Sequence, residues 1–79
     1  MIKVKVIYFA YLKEITGVRE QYIEVDGKFV QDVLNKIFES YPVLANCPLM
    51  VVLNKKHVKE YDVVEDGDEL RIYPPVSGG

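Results

Sequence analysis

The sequence predicts an α+β fold, with one main helix lying on one face of a four- to five-stranded sheet. Three observations carry this. Val30, Val33, Leu34, Ile37, Phe38 and Tyr41 fall at i, i+3, i+4, i+7, i+8 and i+11, the apolar stripe of a single amphipathic helix. Alternating or continuous apolar runs at 2–9, 20–25, 49–53 and 69–73 have strand character. At 79 residues there is room for one core, and one helix can cover only one face of the sheet those runs would form.

Residues 2–9 read as the first strand, with Ile2, Val4 and Val6 on one face and Lys3, Lys5, Ile7 and Phe9 on the other. Ala10 to Ile15 suit a short helical turn closed by Gly17 as C-cap. Residues 20–25 make a second strand, Ile23 and Val25 inward and Tyr22 and Glu24 outward, and Asp26-Gly27 marks a turn. In the helix that follows, Gln31, Asp32, Asn35, Lys36 and Glu39 form the polar face. Its start is poorly marked, because Phe29 stands where a capping Ser or Thr is expected; Pro42 ends it. The unbroken run Leu49 to Leu53 suits an interior strand covered on both faces. Asn54-Lys55-Lys56 turns into a short strand around His57 and Val58, and Asp66-Gly67-Asp68 turns into a last strand over 69–73. There Leu70 and Ile72 point one way, and Glu69, Arg71 and Tyr73 the other.

Composition removes several function classes. A domain of this size buries only about 60–65% of its unfolded surface, so its core must be well packed. With 49% apolar residues the chain is globular rather than disordered. A net charge of −2 and scattered lysines give no electrostatic case for nucleic acid. No apolar run approaches the roughly 20 residues that span a bilayer, and the N-terminus alternates as a strand, not as a signal peptide. One cysteine forms no internal disulfide. A cytoplasmic protein, without a membrane partner, is the economical reading.

The ending Pro74-Pro75-Val76-Ser77-Gly78-Gly79 is the most distinctive stretch. The prolines fix φ and withhold a hydrogen-bond donor, so they resist continuing a sheet. Two residues without side chains then suit passage through a narrow channel. The sequence thus divides into a domain over 1–73 and a flexible tail over 74–79 that holds a carboxylate away from the body. A terminal Gly-Gly arises by chance in roughly one chain in two hundred, so its weight depends on what accompanies it.

The order strand, strand, helix, strand, short strand, strand resembles the ubiquitin-like β-grasp, in which first and last strands lie parallel at the centre of a mixed sheet. More specifically, Tyr8-Phe9-Ala10-Tyr11-Leu12-Lys13-Glu14-Ile15-Thr16-Gly17, Leu53-Asn54, Asp66-Gly67-Asp68-Glu69-Leu70 and the Pro-Pro-Val-Ser-Gly-Gly ending together resemble the small subunit of molybdopterin synthase, the MoaD family. Phe29, in place of the usual Thr, and Ile15-Thr16 depart from that pattern. The resemblance implies a sulfur carrier that is not an enzyme on its own. The Gly79 carboxylate would be adenylated by a ubiquitin-activating-like (MoeB-like) adenylyltransferase. Sulfur would then replace AMP, and the resulting thiocarboxylate would serve a cyclic pterin precursor in the active site of a MoaE-like large subunit, within a heterotetramer. Pro74, Pro75, Val76, Ser77 and Gly78 would form the slender tail. No phosphate-binding glycine loop occurs in the chain, so ATP would be held by the activating partner and no cofactor by this chain.

On the β-grasp layout, Phe9 and Tyr73 end adjacent strands on the face away from the helix, with His57 nearby, and exposed aromatics at the root of a tail suggest a docking patch. The other candidates are weaker. His57 is the only histidine, so no histidine-based metal cluster is expected. Cys47 has no close basic flank to activate it. Asp66 and Asp68 lack the ligand spacing of a calcium loop, and Ser40 and Ser77 lack a visible base. A thiamine-pathway sulfur carrier, a ubiquitin-like protein modifier and an interaction domain with an incidental Gly-Gly remain as alternatives.

Overall fold

The computed structural model describes residues 1–74; the tail positions Pro75, Val76, Ser77, Gly78 and Gly79 lie outside the described residues. The order is β1 (Ile2–Tyr8), α1 (Leu12–Thr16), β2 (Glu20–Val25), α2 (Val30–Ser40), a 3-10 turn (Pro42–Asn46), β3 (Met50–Leu53), β4 (Lys56–His57) and β5 (Glu69–Tyr73). Among the described residues the strands form one five-stranded sheet in the order β2-β1-β5-β3-β4. β1 and β5 are parallel at its centre, in register from Lys5 opposite Glu69 to Tyr8 opposite Ile72, and every other pairing is antiparallel. This is the mixed sheet the β-grasp resemblance implies. No helix among the described residues is long and apolar enough to cross a membrane.

Alternation fills the core. Val4, Val6 and Tyr8 of β1, Ile23 and Val25 of β2, and Leu70 and Ile72 of β5 face α2, which buries Val30, Val33, Leu34 and Ile37 against them. Among the described residues no helix covers the opposite face of the sheet. Gly17 closes α1 as expected, at φ 80° with its N–H bonded to the Lys13 carbonyl, although α1 begins at Leu12 rather than Ala10.

Two expectations need correction. The run Leu49 to Leu53 is not covered on both faces. Val51 and Leu53 pair with the core residues Ile72 and Leu70, whereas Met50 and Val52 lie on the open face and Met50 stays exposed. β3 reads as continuous because the open face is itself apolar there. The start of α2 is also better secured than Phe29 suggests. Asp32 reaches back, its Oδ2 accepting the N–H of Phe29 at 2.9 Å and of Lys28 at 3.1 Å. The Val30 and Gln31 N–H groups bond the Asp62 and Glu60 carbonyls at 2.8 and 3.0 Å. The first-turn donors that a capping side chain would meet are thus satisfied partly from a distant loop.

Candidate functional site

Because β1 and β5 run parallel, their C-terminal ends meet on one side of the sheet. Phe9 follows β1 there, and its N–H donates to the Ile72 carbonyl at 3.1 Å, continuing the ladder one residue beyond the strand. Tyr73 ends β5. The two rings stack with centroids 4.4 Å apart and planes 9° from parallel, a contact worth about 0.5–1.5 kcal/mol beyond its area. Both side chains are half-buried and face away from α2.

These rings form one wall of a shallow apolar depression. Ala10 and Pro74 flank them, and Met50, Val52 and His57 of the β3–β4 hairpin complete the lining. Register accounts for this: Met50 lies opposite Tyr73, and Val52 opposite both Arg71 and His57. The hairpin is closed by Asn54 and Lys55, at φ 48° and 75°, the pair of positive angles that a tight two-residue turn requires. The sequence-predicted partner residues Phe9, His57 and Tyr73 therefore meet at one place, directly before the tail. Reading the sequence did not identify Met50 and Val52 as lining. Their signal was the apolar character of alternate positions in a run whose other two residues, Val51 and Leu53, already supply the core.

Charge is arranged around the depression rather than in it. Arg71 Nε donates to Glu69 Oε2 at 2.8 Å, and this bond raises the guanidinium above its ordinary value. Farther along the open face, Lys5 Nζ sits 2.9 Å from Glu20 Oε2, which raises the Lys5 ammonium in turn. Docking at the aromatic end would remove mainly apolar surface from water, the favourable kind of burial.

The remaining candidates have structural tasks. Asp66 Oδ1 accepts the Lys3 N–H at 2.8 Å, and Asp68 Oδ2 that of Glu65 at 2.7 Å. Asn54 joins the two turns, donating to Asp68 Oδ1 and accepting the Glu69 N–H, both at 2.9 Å. No group of three or more potential metal ligands converges among the described residues. Cys47 follows the 3-10 turn, its thiol 3.5 Å from the Val43 carbonyl. It lines a different groove, between α2 and the segment leading into β3.

Residues 6–79 match the ThiS family. The molybdopterin synthase sulfur carrier subunit of Chlamydomonas reinhardtii is 40% identical over 98% of this chain and 99% of its own. The human molybdopterin synthase sulfur carrier subunit is 36% identical over 98% of this chain and 94% of its own. Among solved structures, small archaeal modifier protein 1 of Haloferax volcanii superposes with a TM-score of 0.86 at 26% identity, covering 96% of this chain and 100% of that one.

Proposed function

The chain belongs to the ThiS family, and from that premise we propose that it is the sulfur carrier subunit of a molybdopterin synthase. The observation that carries this reading is the stacked Phe9–Tyr73 pair in an apolar depression that also includes Pro74. A partner seated on that surface lies beside the point where the last described residue leaves the central strand. The full-length relatives named as sulfur carrier subunits support the same role.

In this proposal the chemistry resides at Gly79. A carboxylate is a poor electrophile. Attack of its oxygen on the α-phosphorus of ATP, in a MoeB-like partner, releases pyrophosphate and leaves an acyl adenylate. A sulfur nucleophile at the oxidation level of sulfide then displaces AMP, forming the carbon–sulfur bond of a thiocarboxylate. That group is a stronger nucleophile than the original carboxylate, and the MoaE-like large subunit presents it to the pterin precursor. Gly78 and Gly79 add no side chain that would obstruct the channel. This chain holds neither ATP nor a metal; it acts as carrier and co-substrate while its partners catalyse. A heterotetramer with the large subunit and a cytoplasmic setting fit that role.

The test is intact mass after isolation with the activating partner. A gain equal to exchanging one oxygen for one sulfur is expected. Deleting Gly79 should abolish both the gain and molybdopterin formation, because misplacing a reacting atom by ~1 Å can cost 10²-fold. Full product formation by the Gly79-deleted chain with purified partners would overturn the reading. The likeness to a small archaeal modifier protein favours a second role, in which the same carboxyl group joins lysines of other proteins. Lysines of the native host's proteins that carry the Ile72–Gly79 remnant after tryptic cleavage behind Arg71 would establish it.

A further inference from the structure

Among the described residues, three other than glycine have positive φ: Ala10 at 54°, Asn54 at 48° and Lys55 at 75°. The last two share a tight turn that requires such angles, and the Asn54 side chain makes two hydrogen bonds there. Ala10 has no such compensation. Its methyl group meets the steric penalty of the left-handed region, which glycine would avoid. The conformation is imposed by its neighbours. Phe9 is held on the ladder through the Ile72 carbonyl, while the Phe9 and Ala10 carbonyls accept the Leu12 and Lys13 N–H groups at 3.1 and 3.2 Å, starting α1. An exposed residue in this forced bend gains nothing for the fold from a side chain, yet Ala10 lines the same depression as Phe9, Tyr73 and Met50.

We propose that Ala10 is a specificity-determining residue of the docking surface. Its methyl group is a contact for the large subunit, and its small size is the limit that lets the partner close over the aromatic pair. This inference rests on the docking role proposed above. It makes the position sensitive in both directions: glycine relieves the backbone and loses the contact, whereas a larger side chain that tolerates positive φ keeps the backbone and holds the partner away.

The experiment titrates the large subunit with the full chain carrying Ala10→Gly or Ala10→Asn, with thermal melting of each. Ala10→Gly is expected to melt at or above the parent and to bind about fourfold more weakly, the loss of one buried methyl-sized group. Ala10→Asn is expected to melt close to the parent and to bind at least tenfold more weakly. Parent-like affinity in either variant, or early melting of Ala10→Gly, would overturn the proposal. Phe9→Ala, run alongside, separates the two levels. If it binds weakly while both Ala10 variants bind normally, only the role of Ala10 fails. If it too binds like the parent, the docking patch fails, and Ala10 with it.

Discussion

The Tyr8 hydroxyl is buried and finds no hydrogen-bond partner among the described residues, with the Tyr41 ring edge-on at a centroid distance of 6.1 Å. Leaving such a group unpaired costs about 1–3 kcal/mol. Tyr8→Phe should therefore match or exceed the parent in denaturant unfolding, and a loss of more than about 1 kcal/mol would reveal an unseen partner. Burial also raises the Tyr8 phenol above its ordinary value of 10.0. The sign follows from linkage. Above about pH 10 the unfolded chain releases this proton and the native chain does not, so stability is fully present below that pH and falls as pH rises. Tyr8→Phe should lessen that alkaline decline; an unchanged slope would show that Tyr8 does not contribute to it. Phe9 and Tyr73 behave differently, because they pack on each other outside the helix-facing core. Truncating either to alanine should cost about 2 kcal/mol or more in binding the large subunit if it is a true anchor, with only a modest fall in melting temperature. Early melting with normal binding by the folded fraction would assign that residue to the core.

At the scale of elements, the start of α2 and the turn before β5 show how short-range chemistry meets long-range support. Asp32 both accepts two N–H groups and places a negative charge in the first turn of the helix. Asp32→Ala should cost about 1 kcal/mol in unfolding free energy. Gln31→Ala, which removes only an exposed bond to Asn35, should cost less; equal losses would mean that the Asp32 cap contributes little. The 30s helix was legible from its stripe, because period 3.6 reports which face is buried. The strength of its start was not, because the Asp62 and Glu60 carbonyls that help cap it are backbone groups without a side-chain signature.

For the whole molecule, the β-grasp layout puts the core and the proposed docking surface on opposite faces of the sheet. The helix-facing side holds the core residues Val4, Val6, Leu70 and Ile72, each 0% exposed, while the opposite face carries the aromatic depression. Leu70→Ala should cost about 2–5 kcal/mol, as cavity-forming core substitutions do, a large share of the roughly 5–15 kcal/mol that stabilises a typical domain. Binding measured per folded molecule should stay at the parent's level. A drop in that affinity, with the fold intact, would show that core and patch are coupled through the central strands.

By itself the sequence determined the α+β class, the helix stripe, the inward sets of β1, β2 and β5, both aspartate-rich and asparagine-led turns, and the motifs that point to a sulfur carrier. The structural signals arise from local conformational preferences and from alternation between water and core, both written into consecutive residues, whereas the sulfur-carrier reading rests on the resemblance of those motifs to a known family. Only the tertiary structure decided that Met50 and Val52 share a depression with Phe9, His57 and Tyr73, that Tyr8 is buried with no partner among the described residues, that Ala10 is forced to positive φ, and that a loop near residue 60 caps α2. Each of these depends on strand register or on backbone contacts between distant segments. Such contacts form between groups common to every residue, so no side-chain pattern announces them before the chain has folded.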